Sequence, residues 1–151
     1  MGRFFETVFG VYFDDLDPFR ILHNARYLLF FERAIGEFWQ HMGWGGLLDA
    51  QLDADQYHMV RVNRMEYLRP VQGLGKVRVR LSVARLGRTS VTFRCRVMPM
   101  DQDVLYAQGE RVLVKVDPDT HRPMPWSEGF REALRPYLED ASAEAGAAPG
   151  A

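Results

Sequence analysis

The chain has 151 residues, of which 47% are apolar, and its formal net charge is −1. This length suits one domain with a substantial core, and the near-neutral charge argues against a general nucleic-acid-binding protein. Cys95 is the one cysteine, which excludes an internal disulfide and a cysteine-rich zinc site.

The ends of the chain carry no sign of a membrane or secretion segment. The N-terminal sequence MGRFFETVFG lacks the apolar run of a secretion signal, and no stretch is apolar for long enough to span a bilayer. We therefore expect a soluble cytoplasmic protein without a membrane partner. Residues 141–151 are rich in Ala and Gly and have few bulky side chains, so we expect one domain over 1–140 and a disordered tail after it.

The first predicted elements are a strand over Phe4–Phe13, a loop over 14–23 and a helix over 24–42. The strand is rich in aromatic and β-branched residues, which favour a pleated surface. The helix has apolar side chains around most of its circumference, which predicts burial on nearly every side. Asn24 is the predicted N-cap, and Gly43 is expected to end the helix.

Four more strands are predicted after an irregular segment that reaches about Gln56. Their apolar and polar residues alternate, and Val112, Val114 and Val116 are expected to share one face of the last strand. Ser127 then caps a short C-terminal helix. The four strands span His58–Arg69, Lys76–Val83, Ser90–Met98 and Leu105–Val116. Together these elements predict an α+β fold in which a five-stranded antiparallel sheet wraps a long buried helix.

The loop before the long helix carries the candidate chemistry. Asp14 and Asp15 can be interpreted as loop solvation, whereas Asp17 lies nearest the helix start. Unpaired N–H groups at a helix start favour developing negative charge, so a carboxylate beside them suits hydrolysis of an acyl compound. From the residues alone, Asp17 is first interpreted as a loop residue that caps or solvates. His23 is a further candidate, since an imidazole can exchange a proton near neutral pH.

The pattern D-x-D-x-x-x-x-x-x-N-x-x-Y-L-x-x-x-E-R, which runs from Asp15 to Arg33, carries a family resemblance. It resembles the opening of hotdog-fold thioesterases of the 4-hydroxybenzoyl-CoA thioesterase superfamily, and Tyr67, Leu68 and Pro70 before a Gly turn agree with this. The resemblance covers residues 5–125. It implies a hotdog fold and a homodimer or homotetramer with active sites at the subunit interface.

The resemblance also implies an activity and a set of catalytic residues. It implies an acyl thioesterase that acts on acyl-CoA or an acyl carrier protein, with coenzyme A or phosphopantetheine as part of the substrate and no other cofactor. Asp17 takes the place of the catalytic carboxylate, as general base or nucleophile, and Asn24 would orient substrate or water. Glu32 is a reserve candidate, because related branches carry a catalytic Glu on this helix; a structural salt bridge is its other interpretation. A hotdog dehydratase or cyclase-like enzyme, and a non-catalytic acyl-binding protein, are the alternatives.

Five residues are candidates for substrate binding. Phe19 and Arg20 stand where many relatives carry Gly; since Gly-only geometry is closed to them, we expect a different loop path or a reshaped pocket, or a contact from Arg20 to an acidic group. Tyr27 and Phe31 could line an acyl pocket or only build the core. Arg69 belongs to a group of arginines that form either a solvated sheet face or a rim for substrate phosphates. The group comprises Arg61, Arg64, Arg69, Arg78, Arg80, Arg85 and Arg88. The chain has no HExxH or paired-Cys pattern, so we infer no metal site.

Overall fold

One long helix and five strands make up most of the fold. The structure is a computed structural model that describes residues 2–46 and 53–140, so the predicted tail at 141–151 lies outside the described residues. The helices are α1 (Asn24–His41) and α2 (Glu128–Leu134). The strands are β1 (Phe5–Val11), β2 (His58–Tyr67), β3 (Gly75–Leu86), β4 (Ser90–Met98) and β5 (Ala107–Lys115).

The strands form one antiparallel sheet in the order β1-β3-β4-β5-β2. Every neighbouring pair runs antiparallel, which confirms the predicted five-stranded antiparallel sheet. Strand pairing extends β3 beyond its predicted end at Val83 to Leu86, opposite Val91 of β4. The order leaves β1 and β2 as the two edges, and α1 packs against β1 and β3.

Helix α1 is buried along one broad face, and the prediction of burial on nearly every side is wrong. Glu32 and Arg33 are exposed, and Leu28 and Leu29 are only half-buried. A sheet covers a helix from one direction, so the opposite stripe of the helix is left to solvent. The buried residues are Tyr27, Phe30, Phe31, Ala34, Ile35, Phe38 and Trp39.

The middle of the core is aromatic. The ring of Phe38 on α1 lies edge-on to Phe93 of β4 at 5.6 Å and to Tyr137 at 5.0 Å between ring centroids. Phe5 of β1 contacts the same ring at 5.6 Å. Edge-to-face pairs at these distances add to the free energy gained by burying the rings. Helix α1 is therefore fixed at its C-terminal half, and its N-terminal end projects beside the loop that follows β1.

Helix α2 is held to the sheet through a buried carboxylate. Asp55 accepts hydrogen bonds from the Lys115 ammonium at 2.8 Å and from the hydroxyl and the N–H of Ser127. Ser127 also caps α2 by accepting the N–H of Phe130, as predicted. Burial by itself would raise the pKa of Asp55, but the hydrogen bonds from Lys115 and Ser127 outweigh burial and lower it. Within the part of the chain that the structure describes, no helix is long and apolar enough to cross a membrane.

Candidate functional site

The loop between β1 and α1 is built around two carboxylates with different tasks. Asp15 is only 6% exposed, and its Oδ2 accepts the N–H of Tyr12 at 2.8 Å. Its carbonyl accepts the N–H of His23 at 2.9 Å, and its Oδ1 lies 3.7 Å from the guanidinium of Arg26. Asp15 therefore holds the loop in shape, and its interpretation as loop solvation is wrong, because a carboxylate that closes a turn is buried with its donors.

Asp17 is half-buried and is oriented by the backbone that follows it. Its Oδ1 accepts the N–H of Phe19 at 2.8 Å and the N–H of Ile21 at 3.4 Å. The Asp17 carbonyl accepts the N–H of Arg20, which closes the turn. Its other oxygen, Oδ2, has no hydrogen-bond partner among residues 2–46 and 53–140. The carboxylate is thus fixed in direction and keeps one oxygen free.

Arg20 adopts the backbone geometry that the sequence was expected to forbid. Its φ is +63°, in the left-handed region, and its carbonyl accepts the N–H of Gly73 at 3.0 Å. The expectation that Arg20 cannot take glycine-like geometry is wrong, because this small region is open to L-residues at a cost of about 1–2 kcal/mol. The loop therefore makes its bend without glycine, and Phe19 and Arg20 both project into solvent, Phe19 with 82% exposure.

The helix start is capped by His23, so the prediction that Asn24 is the N-cap is wrong. The Nδ1 of His23 accepts the N–H of Ala25 at 3.2 Å, and Asn24 is the first helical residue. Because Nδ1 accepts in this bond, the imidazole proton of the neutral ring is on Nε2. The Asn24 side-chain amide is not used for capping and has no hydrogen-bond partner in the described part of the chain.

A cavity of about 440 Å³ lies against this loop and the first turn of α1. It brings together five of the predicted site residues, and the remaining four do not line it. The five are Asp17, His23, Asn24, Tyr27 and Arg69. The other lining residues are Ile21, Leu22, Tyr67, Leu68 and Pro70.

The second wall of the cavity comes from the end of β2 and the residues after it, of which sequence reasoning had named only Arg69 as a site residue. The hydroxyl of Tyr67 donates to the carbonyl of Asn24 at 3.0 Å, and its ring lies edge-on to Tyr27 at 5.0 Å. Burial raises the pKa of Tyr27 to about 12, although a hydrogen bond with the backbone of Val71 opposes this shift. The run Tyr67-Leu68-Arg69-Pro70 before a glycine turn was the available signal in the sequence.

Glu32 and Phe31 belong to a different environment, between α1 and the far part of the sheet. Glu32 is 68% exposed, and its carboxylate lies 3.6 Å from the guanidinium of Arg111, which is 5% exposed. Arg111 also donates to the side chain of Asn63 at 2.7 Å and lies over the ring of Phe31. Glu32 is therefore the structural partner of a buried arginine, and Phe31 is a core residue. The signal for Arg111 was a cation followed by the apolar residues 112–114 of β5.

The arginines of the predicted group divide between a sheet face and a rim for substrate phosphates. Arg78 donates to Asp103 at 2.8 Å, Arg80 donates to Glu6 at 3.0 Å, and Arg64 lies 3.8 Å from Glu110. These three are each paired with an acidic neighbour. Arg69 is exposed and lies at the cavity instead.

Comparison with known protein families gives one match that covers most of this chain. The sequence model of the thioesterase-like superfamily matches residues 11–134, which include the whole cavity. The chain belongs to the thioesterase-like superfamily. The predicted resemblance to hotdog-fold thioesterases is therefore confirmed.

Several solved bacterial structures have a fold similar to that of this chain. A protein from Pseudomonas aeruginosa strain PAO1 is 26% identical, with a TM-score of 0.79 over 91% of this chain and 93% of that one. A predicted thioesterase from Bacillus stearothermophilus is 22% identical, with a TM-score of 0.76 over 91% and 98%. A 1,4-dihydroxy-2-naphthoyl-CoA thioesterase from Synechocystis is 12% identical, with a TM-score of 0.75 over 88% and 96%. No curated protein matches the chain.

Proposed function

We propose that the protein hydrolyses an acyl thioester of coenzyme A or of an acyl carrier protein. The observation that carries this proposal is the Asp17 carboxylate, which is fixed through Oδ1, free at Oδ2 and placed at the wall of a cavity beside a helix start. Membership of the thioesterase-like superfamily supports the reaction class. A Synechocystis protein of the same fold is named a CoA thioesterase, which supports coenzyme A as the carrier of the acyl group.

Asp17 would act at the thioester carbonyl in one of two ways. As a general base, its Oδ2 takes a proton from water while the water oxygen bonds to the carbonyl carbon. As a nucleophile, Oδ2 bonds to that carbon directly, and water later hydrolyses the resulting anhydride. In both cases the carbon–sulfur bond breaks and the departing thiolate takes up a proton, so a thioester and water give a carboxylic acid and a thiol.

The other cavity residues would bind and orient the thioester. The Asn24 amide, which is free of the cap, would donate to the carbonyl oxygen as negative charge develops on it. His23 has Nδ1 occupied by Ala25, so Nε2 is the nitrogen available for proton exchange with the substrate. Tyr27 lines the cavity and would contact the acyl group. We do not assign catalysis to Glu32, because it pairs with Arg111 away from this cavity.

The carrier part of the substrate would lie across the exposed side of the same loop. Arg69 lines the cavity and is exposed, which suits a contact with the phosphates of coenzyme A or phosphopantetheine. Phe19 and Arg20 are exposed on the turn that holds Asp17, and we propose that they contact the carrier.

Replacing Asp17 by Asn tests the proposal. The amide keeps the size and the acceptor oxygen of the side chain but removes the reactive charge, so turnover should fall by at least about 10²-fold. The matched control is Asp14→Asn, which removes the same charge from an exposed residue of the same loop that does not line the cavity. Hydrolysis should be followed by thiol release over a panel of acyl-CoA and acyl carrier protein substrates. An Asp17→Asn variant that turns over a good substrate at the wild-type rate would exclude Asp17 as the catalytic group.

The same panel separates the alternatives. A dehydratase would release water without releasing thiol, and a non-catalytic acyl-binding protein would bind thioesters without consuming them. Arg20 closes the turn that orients Asp17, because its N–H donates to the Asp17 carbonyl while its φ is +63°. Hydrolysis is therefore the function that the geometry supports best.

We further propose that the protein is a homodimer or homotetramer that assembles through β2. This strand is an edge of the sheet, runs for 10 residues and carries the half-exposed apolar side chains of Met59 and Val60. An uncovered edge strand with apolar side chains is prone to pair with another chain. Since Tyr67 at the end of β2 lines the cavity, a second copy on this edge would lie beside the site.

A further inference from the structure

The cavity has two walls that come from distant parts of the chain. One wall is the Asp17 loop with the first turn of α1, and the other is the segment Tyr67–Pro70 after β2. At the base the walls are joined by the N–H of Leu22, which donates to the carbonyl of Val71 at 2.8 Å. Leu22, Tyr27 and Val71 are all buried, so the base of the cavity is fixed.

At the outer side, the walls are joined in a different way. The hydroxyl of Tyr67 donates to the carbonyl of Asn24 at 3.0 Å, and the Tyr67 side chain is half-exposed. The Tyr67 ring contacts Tyr27 edge-on, so the bond also places an aromatic ring over the cavity. The bond can break without leaving a buried polar group unpaired, because water can replace both partners. The base link joins buried residues, whereas this outer link is exposed to water and can open.

We propose that Tyr67 is a specificity-determining residue that limits the size of the acyl group. When Tyr67 is bonded to Asn24, the two walls are held together and the cavity accepts compact acyl groups. A bulkier or longer acyl group fits only if the bond breaks and the ring turns away, which weakens its binding relative to a compact one. This inference rests on the proposed function, because it assigns the substrate class of the same cavity.

Three tyrosine variants test the inference. Tyr67→Phe keeps the ring and removes the hydrogen bond, and Tyr67→Ala removes both. The matched control is Tyr57→Phe, which removes a hydroxyl from a residue that does not line the cavity. The measurement is kcat/KM for butyryl-CoA and decanoyl-CoA, with the melting temperature of each variant taken in parallel.

Tyr67→Phe should raise the ratio of decanoyl-CoA to butyryl-CoA kcat/KM by about 10-fold, the scale on which pockets discriminate acyl size. Tyr67→Ala should raise it further, and Tyr57→Phe should leave it unchanged. A purely structural role for Tyr67 would lower both kcat/KM values together and leave their ratio constant. An active enzyme whose ratio is the same in wild type and Tyr67→Phe overturns the inference and leaves the proposed function intact.

A binding measurement keeps the two ideas separate if the wild type hydrolyses neither thioester. The dissociation constants of butyryl-CoA and decanoyl-CoA are then compared for wild type and Tyr67→Phe by calorimetry. A Tyr67→Phe shift in favour of decanoyl-CoA supports the inference while the proposed function fails. No binding, or an unchanged ratio of the two constants, overturns the inference.

Discussion

Arg20 shows how one residue can hold an unfavourable conformation inside a functional loop. Arg20 and His121 are the non-glycine residues with positive φ among those that the structure describes. The Arg20 conformation is imposed by its neighbours: its N–H donates to the carbonyl of Asp17, and its carbonyl accepts the N–H of Gly73. Strain of this kind persists only where the surrounding structure over-determines it. At Arg20 the strain belongs to the turn that aims the Asp17 carboxylate.

Replacing Arg20 by Gly should therefore stabilise the protein. Relief of left-handed strain should raise the free energy of unfolding by about 1–2 kcal/mol. The greater freedom of glycine in the unfolded chain should lower it by about 0.5–1 kcal/mol. The expected net rise in the free energy of unfolding is about 0.5–1 kcal/mol in urea denaturation. The control is Phe19→Gly at the neighbouring position, where φ is not positive and the same substitution should destabilise. A loss of stability in Arg20→Gly would mean that the Arg20 side chain, and not its backbone, supports the turn.

Among the elements, β2 is held at its beginning by a hydrogen bond and by ring contacts. His58 donates from Nδ1 to the carbonyl of Asp55 at 3.0 Å, and its ring lies 5.7 Å from that of Trp39 and 5.9 Å from that of Trp126. Burial among these rings lowers the pKa of His58, and the interactions with Asp55 oppose the shift without cancelling it. Burial at the start of β2 therefore favours the neutral imidazole, whereas the interactions with Asp55 by themselves favour the protonated one.

This arrangement predicts a pH dependence of stability. The folded pKa of His58 lies below the unfolded value, so the unfolded chain binds the proton more tightly. Stability from a neutral His58 is complete above pH of about 6.5 and is lost as the pH falls below that value, by at most about 1.4 kcal/mol per pH unit. His58→Gln can still donate to the Asp55 carbonyl but cannot titrate. Urea denaturation from pH 8 to pH 5 should give a shallower pH slope for His58→Gln than for wild type, and equal slopes would contradict the assignment.

At the scale of the whole molecule, the two sheet edges differ in what they expose. Strand β2 is the longer edge and exposes about half of Met59 and of Val60, whereas β1 has seven residues and exposes Val8. The end of β2 also supplies one wall of the candidate cavity. Assembly through β2 would therefore link oligomeric state to the site, and assembly through β1 would not.

A lysine on each edge distinguishes these arrangements. Val60→Lys places a charge on the edge that we expect to be covered and should convert the oligomer to monomer, because edge lysines block strand pairing. Val8→Lys is the matched control on the other edge and should leave the molecular mass unchanged. Light scattering at micromolar concentration gives the mass of each variant. A wild-type monomer, or an oligomer broken only by Val8→Lys, would contradict assembly through β2.

Local patterns in the sequence were sufficient for the elements and for the position of the reactive loop. Alternation predicted the strands because side chains of a strand point to opposite faces, and apolar spacing predicted α1 to within a residue of its ends. The motif from Asp15 to Arg33 indicated the family and marked Asp17, which stands at a cavity. These features depend on residues that are near one another in the chain, so the chain alone determines them.

Tertiary structure decided which groups meet. Arg111 and Glu32, or Tyr67 and Asn24, become partners only when the sheet and α1 pack, and no spacing in the sequence records such a contact. Competition for one helix start gave the cap to His23 and left the Asn24 amide free, although Asn is the better cap by intrinsic preference. The sequence by itself determined the elements and the chemistry that they carry. The packing decided which side chains were bound to one another and which were left available to a substrate.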